Sequence, residues 1–192
     1  MAGRQARILL AAQLDGLMQH TRGQRDYARS QVIILLSHLA GLRAAEIAKL
    51  EWSMILDAPG KVGQSIALED RIAKKKSGRR IPMHPELRIA LVALQRRNSR
   101  AFGPVIKSRK DGHMHPNSVV NWFKALYQEF GFDGCSSHSG RRTFATQAAR
   151  KAHEAGATLI DVKVLLGHKS IQCTERYVMG DSHAQRKLVA LL

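Results

Sequence analysis

Cysteine is scarce in this chain: only Cys135 and Cys173 stand among its 192 residues. Two cysteines are too few for a disulfide scaffold, so we expect a reducing compartment and place the protein in the cytoplasm. No apolar run approaches the roughly 20 residues that a membrane span needs. The apolar stretch behind the basic N-terminus, residues 8–12, is too short for a secretion signal. We therefore predict neither a membrane protein nor a secreted one.

Acidic residues are also few. The chain has 15 Asp and Glu against 31 Lys and Arg, which gives a formal net charge of +16 at pH 7. A field of this sign attracts polyanions, and nucleic acid is the commonest of them. A membrane surface is the competing partner, but the basic residues are spread over the whole length and no amphipathic anchor stands out. The charge therefore favours a nucleic-acid partner.

Helical periodicity dominates the chain, and residues 54–83 form the exception. There we predict three short strands, at residues 54–56, 65–68 with a continuation to 73, and 79–83, with a basic turn at 74–78. We find no internal repeat and no linker. The prediction is a mixed α/β, mainly α-helical single domain over residues 1–192, with a small three-stranded antiparallel sheet. We predict helices at residues 5–20, 25–40, 44–50, 86–98, 117–130, 139–154, 159–166, 171–178 and 183–191.

Five residues form a set that suits attack on a phosphodiester. Tyr177 follows His168 by nine residues, and Arg43 follows a glycine and a leucine. His138 and Arg141 lie three apart at a predicted helix start, which puts them on one face beside backbone amides that favour an anion. Cleavage without a metal needs a nucleophile, positive charge on the phosphate oxygens and an acid for the leaving oxygen. Arginine suits the second task because its planar fork donates two parallel hydrogen bonds to a phosphate.

The segments around these residues resemble the catalytic domain of the tyrosine recombinases, or phage-type integrases. The resemblance runs from about residue 5 to about residue 180 and covers nearly the whole chain. Separated motifs in the family's order are far more specific than any one motif alone. They are Gly41–Ile47 with Leu50 and Trp52, Arg80–Pro82, Ser137–Thr146, Leu165–His168, and Tyr177.

The resemblance implies a site-specific DNA recombinase with the family's breaking and rejoining fold. Tyr177 would attack the scissile phosphate, form a 3′-phosphotyrosyl intermediate and free a 5′-hydroxyl. Arg43 and Arg141 would clamp the phosphate oxygens. His138 and His168 would hydrogen-bond the phosphate and help manage the tyrosine proton.

The family's remaining roles fall to a lysine and a glutamate. A lysine at the tip of the hairpin would protonate the leaving 5′-oxygen. Lys74 lies eight residues before Pro82, which favours it, whereas Lys76 fits the family's Lys-small-Gly turn. We choose Lys74 and keep Lys76 open. Glu46 would support Arg43 from the same helix.

The resemblance also predicts the partners. Double-stranded DNA is the substrate, and no ATP, metal or other cofactor is expected because the phosphotyrosine keeps the bond energy. We expect a monomer in the free state that assembles on DNA into a tetrameric synapse, with accessory DNA-bending proteins as further partners. The bound protein would be associated with the nucleoid. The side chains expected to contact DNA are Lys75, Lys76, Arg79, Arg80 and Arg142.

Two rival functions stay open at this stage. Most family members carry an N-terminal helical domain that clamps the DNA, and this sequence shows none. A non-catalytic DNA-binding relative is therefore one alternative, although the complete set of catalytic residues argues against decay. A topoisomerase-like enzyme, which uses the same intermediate without exchanging partner sites, is the other.

Three minor features complete the sequence predictions. His113 and His115, with His84 as a third candidate, are weak evidence for a metal because they lie in a loop without cysteines or nearby acids, so we predict no metal site. The apolar end of residues 183–192 invites docking on a neighbouring protomer or packing on its own core. Gly140 stands where many family members have leucine, and we expect this to affect packing rather than chemistry.

Overall fold

The computed structural model describes residues 5–74, 76–98, 101–175, Tyr177 and residues 189–190. In this part of the chain, no helix is long and apolar enough to cross a bilayer. The mainly helical fold with a small antiparallel sheet is confirmed. Its elements are α1 (Ala11–Arg22), α2 (Tyr27–His38), α3 (Ala44–Lys49), β1 (Ser65–Leu68), β2 (Arg79–Pro82), α4 (Pro85–Arg97), α5 (Pro116–Glu129), α6 (Ser139–Lys151), α7 (Leu159–Leu166) and α8 (Gln172–Glu175).

The predicted strand at residues 54–56 does not form, because the described residues form a sheet of two strands only. Residues 52–54 make a 3₁₀ turn, and the amides of Ile55 and Leu56 both donate to the Trp52 carbonyl at 2.9 Å. The Trp52 ring is fully buried there, so the chain turns around it instead of extending. Residues 71–73 do not continue β1 either, since the amides of residues 72 and 73 both bond back to the Glu69 carbonyl.

Helix α2 forms the centre of the main core. Its residues 32–36 are at most 1% exposed, and the helix packs against α1, α3, α4 and α6. A helix that is apolar almost all round must be buried on all sides, which is what its sequence predicts. The next segment turns at Gly41, whose backbone φ of +62° is costly for other residues and whose Cα lies against the Phe144 ring. This turn delivers Arg43 to the start of α3.

A second, smaller core lies under α6 and α7. It consists of Ala145, Ala152, Val162 and Leu166, and Tyr177 packs against its edge. Helix α6 carries Arg141, His138 directly precedes that helix, and His168 follows α7. The small core therefore sets the position of the predicted nucleophile relative to α6.

Helices α2 and α6 approach each other closely at Gly140. A Cβ atom added there would lie 2.7 Å from Nδ1 of His38 and would also collide with the Ser37 hydroxyl. His38 is 2% exposed, and its Nδ1 donates to the Ile34 carbonyl at 2.9 Å. Burial lowers the pKa of His38 to about 4, so the ring is neutral at pH 7. The glycine thus makes room for two polar side chains of α2.

We expect Gly140→Ala to lower the free energy of unfolding by about 1–3 kcal/mol, because overpacking at this crossing outweighs the better helix propensity of alanine. Urea unfolding followed by far-UV circular dichroism measures the change. Gly112→Ala is the matched control, since a Cβ atom at Gly112 meets nothing within 4 Å. Equal stability of the two variants would contradict the close packing of α2 on α6.

Candidate active site

An open cleft of about 550 Å³ collects residues from distant parts of the chain. Each of the six residues predicted to be catalytic lies in its wall. The N-terminal segment also reaches the cleft, through Gln5 and Ala6. The six are Arg43, Lys74, His138, Arg141, His168 and Tyr177.

Arg43 lies at the N-terminal boundary of α3 and is held by Glu46. The Glu46 carboxylate accepts from the Arg43 backbone amide at 2.9 Å and from its guanidinium at 2.7 Å. The first bond satisfies an amide at the start of the helix in the manner of a capping box. The Glu46 side chain is 1% exposed, whereas that of Arg43 is 21% exposed. Glu46 therefore fixes Arg43 from below and leaves part of its guanidinium open to the cleft.

Arg79 is placed differently from the sequence prediction. Its side chain is 3% exposed and donates two hydrogen bonds to Glu46, at 3.1 and 3.2 Å, and a third to the Leu165 carbonyl at 2.8 Å. Arg79 thus forms a buried ion pair with Glu46 and does not face solvent, where it could contact DNA. The alternation of buried and exposed residues along β2 indicates this burial, because Arg79 lies on the same face of the strand as the buried Ile81.

Glu46 is a buried anion between two cations. Burial by itself would raise the pKa of its carboxyl group, but the hydrogen bonds and charges of Arg79 and Arg43 outweigh that effect and hold the pKa below its usual value. The carboxylate is therefore charged at pH 7. A low-dielectric setting makes this pairing strong and makes the loss of either partner costly.

Arg141 is buried without a carboxylate among its hydrogen-bond partners in the described residues. Its guanidinium donates to the Gly41 carbonyl at 2.5 Å, to the Leu166 carbonyl at 2.6 Å and to Nε2 of His168 at 3.1 Å. These bonds use three of its five N–H groups. Burial, followed by the charge of Arg43, lowers the pKa of Arg141 to about 10. An anion in the cleft would relieve this excess of positive charge.

Two histidines flank Arg141. His138 lies at the N-terminal boundary of α6, and burial together with Arg141, Arg43 and Lys74 lowers the pKa of its ring. His168 follows α7, and burial with the charges of nearby arginines lowers its pKa to about 4. His168 is therefore neutral at pH 7, and the shift at His138 also favours its neutral form. A neutral imidazole can donate through one nitrogen and accept through the other.

Tyr177 lies beside His168. The two rings are stacked, with their centroids 5.7 Å apart and their planes 13° apart. The Tyr177 amide donates to the Thr174 carbonyl at 2.9 Å, and the side chain is half-buried against the small core under α6 and α7. The tyrosine thus lies in the cleft wall in the free chain.

The basic turn and its neighbours divide into several environments. Lys74 is exposed and lines the cleft, and the Ser77 hydroxyl donates to its carbonyl at 2.8 Å. Lys76 is exposed and has a left-handed φ of 51°. Lys75 lies outside the described residues. Arg80 is exposed, whereas Arg142 is half-buried and donates to the Ala6 carbonyl at 2.8 Å, which holds the N-terminal segment near the cleft.

The chain belongs to the Phage integrase family, whose pattern it matches over residues 7–183. The family resemblance seen in the motifs is thereby confirmed. A search of the curated proteins finds no match.

Solved structures share the fold. The chain is similar to the Tn1549 transposon integrase in complex with a circular intermediate DNA, at 18% identity and a TM-score of 0.73 over 100% of this chain and 67% of that one. XerA recombinase gives 18% identity and 0.73 over 100% and 65%. A lambda integrase dimer bound to a COC′ core site gives 19% and 0.66 over 92% and 49%. The chain thus spans about two thirds of the first two and half of the third.

We expect Glu46→Gln to destabilise the protein by about 3–5 kcal/mol, because it leaves Arg79 buried without its counter-ion. Thermal and urea unfolding measure the loss. The carboxyl has a lowered pKa in the folded chain, so its contribution is present above pH 4.5, its usual pKa, and declines as the pH falls below that value. The variant should therefore lose less stability than the parent on acidification.

Glu69→Gln is the matched control for this prediction. Glu69 also pairs with an arginine, Arg71 at 2.6 Å, but both side chains are about half exposed. An exposed pair contributes at most about 1 kcal/mol. Equal losses in the two variants would show that the buried pair carries no special weight.

Proposed function

We propose that this chain is a site-specific DNA recombinase that cleaves and rejoins DNA through a 3′-phosphotyrosyl bond on Tyr177. The observation that carries this proposal is the buried Arg141, which lies beside Arg43 in a cleft that also contains the tyrosine. A scissile phosphate would supply the anion that this site lacks. Its charge grows in the pentavalent transition state, where fixed donors stabilise it most.

The reaction balances with the groups in the cleft. The Tyr177 oxygen forms a bond to phosphorus as the bond from phosphorus to the 5′-oxygen breaks, and that oxygen takes a proton from Lys74. Arg43 and Arg141 hydrogen-bond the non-bridging oxygens. His138 and His168, in their neutral forms, hydrogen-bond the phosphate and accept or return the tyrosine proton. Rejoining reverses these steps when a 5′-hydroxyl of another strand attacks the phosphotyrosine.

Charge and family membership support DNA as the substrate. The net charge of +16 provides a long-range attraction to a polyanion, and exposed basic side chains such as Lys76 and Arg80 can contact the phosphate backbone. We also assign Lys75 to this set. Arg79 is left out because its side chain is buried and paired with Glu46. Arg142 would contribute indirectly, because it holds the N-terminal segment by donating to the Ala6 carbonyl.

Strand exchange needs two DNA sites, so we propose that protomers assemble on DNA into a tetrameric synapse, with accessory DNA-bending proteins where the site requires them. The chain would be a monomer before it binds. The predicted docking segment, residues 183–192, lies outside the described residues except for residues 189–190. The need for two duplexes supports this assembly, because strand exchange joins each phosphotyrosine to a hydroxyl of the other duplex.

The covalent intermediate can be trapped with nicked duplexes that cover the DNA flanking the coding sequence. Cleavage next to the nick releases a short 5′-hydroxyl fragment that diffuses away, so the phosphotyrosine persists as a protein–DNA band under denaturing electrophoresis. We expect the parent chain and Tyr27→Phe, a tyrosine outside the cleft, to form this band. Tyr177→Phe should form none, and equal trapping by that variant would refute the proposal.

The acid can be assigned with DNA that carries sulfur at the bridging 5′ position. A thiol has a pKa of about 8.5, far below that of an alcohol, so it leaves without a proton. We expect Lys74→Ala to slow cleavage of ordinary DNA by about 100-fold or more and to approach the parent rate on the sulfur substrate. Lys76→Ala is the matched control and should behave alike on both. The reverse pattern would move the acid to Lys76.

A further inference from the structure

We propose that Thr174 is a positioning residue for the reaction, because its hydroxyl holds His168 and its backbone carbonyl holds the amide of Tyr177. The hydroxyl oxygen lies 3.0 Å from Nδ1 of His168, and the carbonyl accepts from Tyr177 at 2.9 Å. Thr174 is 0% exposed. The role in catalysis rests on the proposed function, whereas the hydrogen bonds are properties of the free chain.

The hydrogen bonds around His168 determine where its proton lies. Arg141 can only donate, so Nε2 of His168, at 3.1 Å from it, must be the acceptor. A neutral ring then carries its proton on Nδ1, which donates to the Thr174 hydroxyl. The lowered pKa of His168, caused by burial and by the charges of Arg141, Arg43 and Arg79, agrees with a neutral ring. Arg141 thus selects the Nδ1–H tautomer, and the Thr174 hydroxyl stabilises it by accepting from Nδ1.

A hydroxyl group suits this position because it can reverse its role. It accepts from Nδ1 in the free chain, and it can rotate to donate to Nδ1 when the proton moves to Nε2. The second arrangement is needed if His168 donates to a phosphate oxygen. Thr174 therefore keeps the ring in one plane through both tautomers, which neither an aliphatic side chain nor a carboxylate could do.

The same residue determines the position of the nucleophile relative to this histidine. Tyr177 lies two residues beyond the end of α8, and its amide donates to the carbonyl of Thr174 in that helix. Its ring stacks on His168 with the centroids 5.7 Å apart. One buried threonine therefore holds the two reacting side chains together. A shift of about 1 Å in such a pair costs about 100-fold in rate.

Two substitutions separate the hydroxyl from the shape of the side chain. Thr174→Val keeps the branched shape and loses the hydroxyl, whereas Thr174→Ser keeps the hydroxyl. We expect the valine variant to slow covalent trapping by about 10–100-fold, as loss of a group that orients a ligating histidine does in metal sites. The serine variant keeps the hydroxyl and should therefore trap DNA at close to the parent rate. Affinity for intact duplex and the melting temperature should change little in either.

A second readout needs no DNA and no activity. Nitrogen-15 NMR of the imidazoles distinguishes the two neutral tautomers, and His168→Asn identifies the His168 signals among the nine histidines. We expect the Nδ1–H tautomer in the parent and in Thr174→Ser, and a mixture with Nε2–H in Thr174→Val. If the valine variant does not fold, Thr174→Ala gives the same comparison.

The outcomes are distinct. An unchanged tautomer in the valine variant overturns the proposal even if trapping slows, because the effect would then be structural. Failure of serine to restore both rate and tautomer overturns it as well. A parent chain that traps no DNA but shows the expected tautomer change would refute the proposed function while leaving the hydrogen bond of Thr174 to His168 established.

Discussion

The buried carboxylate of Glu46 is the interaction on which the rest of the cleft depends. It is 1% exposed and pairs with Arg43 at the start of α3 and with Arg79 on β2. Arg79 also bonds to the last turn of α7, so one anion joins the elements that lead to Arg43, to the basic turn and to His168. In a low-dielectric interior, removal of Glu46 leaves Arg79 buried without a counter-ion. The network therefore resists small shifts among three segments that are far apart in the sequence.

The cleft contains more positive than negative charge, and this asymmetry explains its chemistry. Glu46 balances Arg79 and part of Arg43, while Arg141 has only carbonyl groups and an imidazole as hydrogen-bond partners in the described residues. Burial, together with the same excess of positive charge, lowers the pKa of His168, which keeps it a neutral hydrogen-bonding group next to the tyrosine. A phosphodiester would be the missing anion. Binding and catalysis would then draw on one electrostatic feature, since the charge on the phosphate grows as the tyrosine attacks.

Local patterns in the chain predicted most of the described helices to within a few residues, but the first one begins at Ala11 and not at residue 5, and the sheet was predicted less well. Helix α2 is apolar on every face and lies buried at the centre, and Pro85 starts α4 as its sequence position indicates. Residues 54–56 also look like a strand, but the buried ring of Trp52 and two amide bonds to its carbonyl turn the chain instead. Short apolar runs are ambiguous because strand and turn share the same composition. The motifs identified the six cleft residues, but they did not identify Thr174. Its contact with His168 is a side-chain hydrogen bond that the sequence motifs do not predict.

The sequence by itself determined the helical character, the charge and the order of the family's motifs, because these depend on composition and on residues close along the chain. Only the tertiary structure decided which basic side chains face the cleft and which are buried in ion pairs. Arg79 begins β2 and Lys76 lies in the basic turn just before it, yet Arg79 pairs with a carboxylate 33 residues away and a carbonyl 86 residues away, while Lys76 stays exposed. Burial of a charge is set by such distant partners, which local pattern cannot specify.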